Sequence, residues 1–459
     1  MDIRKLLPVF MALALLGSCQ DIGSDDTASE PDVIVIPNDL LGVVHGGRAS
    51  NASDIEYDFM DYLGAKWISQ TFYWGDFEST QGSFDFANDN NKYGKWTDWA
   101  AERGFRMFAV LAYDTSWVRP AGHNRYIPPE HYDNYCNYVT KIIEHYGDKL
   151  AGYSIWNEPN ENPRFWDGTA AEMWNLTKTA ASAAQKAIRQ YNPGGELVGG
   201  ALNSLAPDLW ARGFFVSGAM AETGGVAYHP YMPNARNAAG LTRSFKDVVS
   251  RYGFGNKVWI TEMGFPTGGQ YTSCVEEDRM PEEVVKTIVL LATEGVRHIF
   301  WYQLFDPNTQ DSENSEDWFG LAYYKPTNNS NGITKKKGAD AYALCGKYIQ
   351  GATYRRNLPI GSGLDDLEAY YFEREGGART LVLWAEKISA TEKARVRVSL
   401  PGSGWKQYGL GNSGAWSASD SVDNLGRDVP GSAVYEVGNV PLFFTWMADS
   451  AALPSITAL

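Results

Sequence analysis

Eight short apolar runs, each followed by a stretch with helical spacing, constrain this 459-residue chain more than any other feature. The runs fall at residues 40–45, 66–72, 106–112, 152–156, 196–200, 225–229, 258–262 and 298–303. Between and after them, residues 53–63, 92–102, 129–146, 170–191, 208–221, 241–252, 282–294 and 336–350 read as helices. The stretch 170–191 shows why: Met173, Leu176, Ala180 and Ala184 share one face, and Asn192-Pro193-Gly194-Gly195 stops the pattern. Regular alternation of this kind predicts an α/β fold, and eight units over residues 39–350 predict a (β/α)8 TIM barrel. No shorter repeat of the solenoid kind is present. From residue 351 the pattern changes to short runs at 369–374, 380–386, 394–399, 406–409, 432–437 and 442–446, separated by Gly, Ser, Pro and Asp. That predicts a smaller C-terminal β-sandwich over 351–448, expected to brace the barrel.

The first residues read as an address. Arg4 and Lys5 precede an apolar run over 6–16, too short to span a bilayer as a helix. The run ends in Leu16-Gly17-Ser18-Cys19, which resembles the lipobox of a bacterial lipoprotein and implies cleavage before Cys19 and its lipidation. Residues 20–38, rich in Asp, Ser and Thr, read as a flexible tether. The expected location is therefore the cell envelope, with membrane contact only through that anchor. A net charge of −15 excludes a nucleic-acid partner, and a monomer is expected. Cys136, Cys274 and Cys345 lack metal-ligand spacing but leave room for one disulfide. The acidic stretch 306–317 lacks the glycine and terminal glutamate spacing of a calcium loop, and reads as a solvated loop. Nothing calls for a cofactor or a metal.

In a barrel of this kind the residues closing each run carry the chemistry. The first run ends in His45, and the second leads into Tyr73-Trp74. The third ends near Tyr113-Asp114, and the fourth stops at Asn157-Glu158-Pro159. The sixth gives His229-Pro230-Tyr231, the seventh Thr261-Glu262, and the eighth Trp301-Tyr302. Glu158 and Glu262 then face each other across the mouth, ringed by imidazole, phenol, amide and indole groups. Two carboxyls so placed suit glycoside hydrolysis, in which one protonates the leaving oxygen while the other attacks or activates water. Aromatic side chains make up 14% of the chain, including 16 Trp, and part of that excess suits a sugar cleft.

These motifs resemble those of the clan A glycoside hydrolases, TIM-barrel enzymes with glutamates on strands four and seven. Asn157-Glu158-Pro159 is similar to the clan's acid/base motif, and Thr261-Glu262-Met263-Gly264 to its nucleophile motif. Trp74-Gly75-Asp76-Phe77-Glu78 and Gly82-Ser83-Phe84-Asp85-Phe86 resemble family 39 and related glycanases. The resemblance implies Glu158 as acid/base and Glu262 as an ionised nucleophile whose surroundings keep its pKa low. It implies that Tyr231 donates to Glu262, Asn157 holds a sugar 2-hydroxyl and Trp301 floors the sugar. His45, Trp74 and His229 shape the pocket, whereas Glu78 makes a structural loop contact. A retaining β-glycosidase is implied, with carboxyls about 5–5.5 Å apart. Endo-action on an extracellular β-glucan is the first expectation, from the long loops 115–128 and 306–331. An exo-acting β-xylosidase or β-glucosidase, or a non-catalytic glycan-binding lipoprotein, are the alternatives.

Overall fold

The structure is a computed structural model that describes residues 33–44, 54–87, 92–204, 206–307, 310–324, 333–355, 358, 360–386, 393–409 and 426–459. Eight parallel strands close on themselves: β1 (Leu41–Val44), β2 (Trp67–Phe72), β3 (Arg106–Leu111), β4 (Gly152–Ile155), β5 (Glu196–Asn203), β6 (Gly225–His229), β7 (Val258–Met263) and β8 (His298–Trp301). This is the TIM barrel expected from the alternation. The helix over Ala170–Tyr191 has the predicted bounds, and its start is fixed by a capping box between Thr169 and Glu172.

The barrel interior is filled by aromatics. Trp67, Phe108, Trp259, His298 and Phe300 meet ring to ring; Phe108 and Trp259 lie 5.5 Å apart although β3 and β7 are not neighbours. Such large side chains need empty space opposite them. Gly42 and Gly152 supply it: a Cβ at Gly42 would fall 2.8 Å from Phe300, and one at Gly152 2.7 Å from Phe108. A methyl group at either site overpacks the layer, a change that typically costs about 1–3 kcal/mol. This packed floor supports the mouth above it.

The sandwich consists of a seven-stranded sheet and a three-stranded sheet, packed on the barrel through a continuous apolar cluster that includes Phe372, Trp384, Tyr408 and Phe443. Arg236, at the start of the helix Ala235–Ser250, pairs with Glu368 and Glu386 of the sandwich. Two boundaries differ from the sequence reading. Val33–Val35, read as tether, is an edge strand antiparallel to Thr353–Arg355, since its β-branched residues suit a ladder once the sandwich offers an edge. The sandwich also runs past 448, because Ser455–Ala458 pairs with Ala394–Ser399. Cys136, Cys274 and Cys345 are free thiols, so the disulfide left open by the sequence does not form. Among the described residues no helix is long and apolar enough to cross a membrane.

Candidate active site

Two local irregularities aim the carboxylates. Beyond β4 the chain turns sharply, with Trp156 at φ 67° and Glu158 at φ 44°. Left-handed backbone at such side chains costs roughly 1–3 kcal/mol each and persists only where its surroundings hold it. Here the hold comes from β5, which carries a bulge between Gly199 and Leu202, with Gly200 and Ala201 also left-handed. The bulge turns the Ala201 carbonyl to accept the Glu158 N–H at 2.8 Å. A second register shift, between Ile260 and Met263 of β7, lies beside Glu262.

The result is a compact triad. His229, 1% exposed, sits between the two acids, with Nδ1 2.7 Å from Glu158 Oε1 and 3.8 Å from Glu262 Oε2. Its Nε2 is held by Thr261 Oγ1 at 2.8 Å, which fixes the ring plane. One oxygen from each carboxylate and one imidazole nitrogen all lie within 4.8 Å of one another. Among the described residues this is the one cluster whose donors have metal-site spacing; both imidazole nitrogens already have partners, so ligation would break a hydrogen bond.

Tyr231 donates its hydroxyl to Glu262 Oε2 at 3.0 Å. Burial and the nearby Glu262 charge push the Tyr231 phenol well above its ordinary range, so it remains a donor. Against expectation, Glu262 is not held low. Burial pushes its carboxyl up to about 7, opposed by His229 and the Tyr231 hydrogen bond and reinforced by Glu158. His229 is itself raised: burial opposes its protonation, but the Glu262 charge and the Glu158 hydrogen bond outweigh it.

Other expected residues fall differently. Asn157 donates to the Tyr113 hydroxyl at 3.0 Å, beside Glu158. His45 and Cys19 lie outside the described residues. Trp74 is buried, stacked on Tyr138 and met edge-on by Trp117 and Tyr135, with its indole N–H on Glu78 at 2.7 Å. It packs the core instead of shaping a pocket, because the chain enters a short helix at Trp74–Phe77 and turns the indole inward. Its neighbour Tyr73 is the exposed one. Glu78 makes the structural contact expected of it, accepting also from the Gly82 N–H.

Trp301 is likewise fully buried. Side chains alternate along a strand, and Phe300 points into the barrel, so Trp301 points outward against Tyr342 of the helix Lys337–Tyr348. Tyr302 turns back to the site, its ring 6.3 Å from Tyr231 and its hydroxyl on Glu316 Oε2 at 3.2 Å. Counting inward positions from Phe300 was the signal that would have found it.

Sequence reasoning also missed an outer ring. Arg164 joins Glu161 at 3.0 Å to Glu316 at 3.2 Å, linking the segment after β4 to the segment after β8. Tyr271, after β7, donates to Glu316 at 2.9 Å, and Asn203 at the end of β5 donates to Glu161 at 3.0 Å. The stretch read as a solvated loop is therefore knitted in. Asp306 is buried on Lys336 at 2.6 Å, and Asp317 accepts from the Asp311 N–H.

Comparison with known proteins agrees with this fold. No family model matches the chain. A curated β-xylosidase from Caldicellulosiruptor saccharolyticus is 30% identical over 89 residues, which is 18% of this chain and 18% of that protein. A family 39 glycoside hydrolase from the gut symbiont Bacteroides cellulosilyticus WH2 superposes with a TM-score of 0.69 at 16% identity, over 89% of this chain and 81% of its own. The fold is that of clan A glycoside hydrolases. A GH30 endoxylanase from Clostridium papyrosolvens C71 shares it too, with a TM-score of 0.60 at 15% identity, over 91% of this chain and 100% of its own.

Removing the Tyr231 donor withdraws support from the charged form of Glu262. An infrared titration of the Glu262 carboxylate band is expected to show its midpoint near 7 in the parent. In Tyr231→Phe the midpoint should move to higher pH. A midpoint that stays put or falls would show that Tyr231 does not stabilise the anion.

Proposed function

We propose that this chain is a retaining β-glycoside hydrolase acting on an oligo- or polysaccharide by double displacement. The observation that supports it is the spacing of the acids: oxygens of Glu158 and Glu262 approach within 4.8 Å. Inverting enzymes need room for a water, with carboxyls roughly 6.5–9.5 Å apart, whereas a nucleophile and an acid that share one sugar carbon sit roughly 5–5.5 Å apart.

The steps follow from the triad. Two negative charges this close in a buried site repel, which favours a proton held within the Glu158–His229–Glu262 triad. In the first step Glu262 attacks the anomeric carbon while the glycosidic C–O bond breaks and Glu158 passes its proton to the departing oxygen. Glu262 is then an uncharged ester, the repulsion is gone, and Glu158 is left as a carboxylate. In the second step Glu158 takes a proton from water, the water oxygen bonds to the anomeric carbon, and Glu262 leaves. Asn157, oriented by Tyr113, donates to the 2-hydroxyl as positive charge builds on the ring. Tyr302 and Tyr73 take the sugar-facing roles first assigned to Trp301 and Trp74.

Glu262→Gln removes the attacking oxygen and is expected to abolish turnover of every glycoside. Glu158→Gln removes the proton donor, so natural oligosaccharides should lose on the order of 10²–10⁴-fold. Aryl glycosides with good leaving groups should lose far less in the first step. Equal loss on both substrates, or full turnover in Glu262→Gln, would overturn the assignment.

Endo-action on β-glucan is the finer reading, supported by the length of the segments that follow β3 and β8 at the mouth end of the barrel. An exo-acting β-xylosidase is supported by the Arg164 bridge, which spans loops a polymer would have to pass, and by the match to the Caldicellulosiruptor enzyme. Endo-cleavage should collapse the viscosity of a β-glucan solution before much reducing sugar appears. Release of monosaccharide at nearly constant viscosity selects the exo reading.

We propose further that Cys19 is lipidated and holds the enzyme to the cell envelope. In a bacterial host fed labelled palmitate, the parent protein should carry label in the membrane fraction, and Cys19→Ser should lose both. Label retained by Cys19→Ser would rule the anchor out.

A further inference from the structure

Two arginines lie over one aromatic ring at the edge of the site, and their surroundings differ. The guanidinium carbons of Arg125 and Arg164 are both 4.6 Å from the centre of the Phe165 ring. Arg164 is neutralised twice over, by Glu161 and Glu316. Arg125 has no carboxylate partner among the described residues. One of its N–H groups donates to the Arg164 carbonyl at 3.1 Å, and its plane also covers Tyr113, 4.3 Å from that ring's centre. A guanidinium carries five N–H donors, so most of its fork is unused.

The acids that might have paired with it are engaged elsewhere. Asp114 is held bidentately by Arg119, at 2.5 and 2.8 Å, and also accepts the Tyr126 N–H. Asp167 accepts from the Asn124 N–H and pairs with His123. Glu172 is tied to Tyr126 and to the capping box at Thr169. In a chain of net charge −15, a cation left without a carboxylate beside two rings is conspicuous.

Its backbone is unusual as well. Arg125 has φ 50°, a conformation that a long side chain adopts at a cost and that glycine or asparagine would adopt more readily. The position places the guanidinium within two contacts of the reacting groups: over Tyr113, whose hydroxyl binds Asn157, the residue next to Glu158.

We infer that Arg125 is the anchor of a subsite for an acidic sugar, and that the substrate carries a carboxylate group, as a uronosyl unit does, in the position next to the bond that is cleaved. The planar fork matches the planar carboxylate in a bidentate pair, while contact with Tyr113 and Phe165 holds the guanidinium in place. This inference rests on the glycosidase reading, deepens it to a substrate class, and is compatible with either mode of cleavage.

The test compares matched oligosaccharides: one bearing a glucuronosyl unit, its carboxyl-reduced glucosyl counterpart, and a sulfated glucosyl counterpart. The quantity read is the ratio of kcat/KM between the uronosyl and reduced forms. The parent enzyme should favour the uronosyl form by about tenfold or more, the scale of one partly exposed charge-assisted pair. Arg125→Asn, chosen because asparagine tolerates the left-handed backbone, should bring that ratio near one. Arg125→Lys, which keeps the charge but not the fork, should leave an intermediate ratio. A parent ratio near one, a ratio that survives in Arg125→Asn, or a stronger preference for the sulfated form would each overturn the inference. Because turnover itself could fail, the same three ligands are titrated by calorimetry into Glu262→Gln. Uronosyl-selective binding there that is lost on adding Arg125→Asn upholds the subsite even if the glycosidase reading falls, and unselective binding removes the subsite even if that reading stands.

Discussion

The site depends on holding two like charges near each other in a place that water reaches poorly. Left alone, carboxylates within 4.8 Å would separate or both protonate. The chain prevents separation through the backbone: the left-handed turn at Trp156–Glu158 is locked to β5 by the Ala201 carbonyl, and the β7 irregularity fixes Glu262. His229 moderates the repulsion between them. Its ring is itself held by Thr261, so the distance between the acids is set by one imidazole of fixed orientation. Burial raises the Glu262 carboxyl and Tyr231 counters it, so the charge of the pair responds to small local changes.

Most of the fold was legible because it is written in periodicity. Eight apolar runs and their helices gave the barrel, and Ala170–Tyr191 could be bounded to the residue from its face and its stop signal. The carboxylates were legible because each ends an apolar run abruptly. What escaped depended on which way a side chain points and on contacts distant in sequence. Trp301 and Tyr302 are adjacent aromatics, and only the inward direction of Phe300 tells them apart. Tyr73 and Trp74 are adjacent, and which of them turns inward is set by a helix only four residues long, which no periodicity reveals. The raised Glu262 carboxyl could not be read from its motif, since burial is a property of the assembled mouth.

The acidic segment after β8 shows a further limit. Its composition signals solvent, yet Asp306 and Asp317 are buried and Glu316 reaches the ring around the site. Composition counts charges without their partners. Lys336, thirty residues downstream of Asp306, joins it to Thr267 and the Trp318 carbonyl, and so ties the loops after β7 and β8 together. The loops that frame the mouth are thus cross-linked by charge at several depths, and among their described residues Arg125 stands outside that pairing.

The edge strand Val33–Val35 has a bearing on how the molecule is presented. It joins the sandwich and then leads through Ile36 and Leu40 into the start of β1, the end of the barrel opposite the mouth. For a chain anchored at Cys19, residues 20–32 reach at most about 45 Å when fully extended. A leash attached there would join the protein behind its working face. For a chain so anchored, the mouth would face away from the membrane, and the sandwich, tied to Arg236 at the start of the helix after β6, would stand beside the barrel.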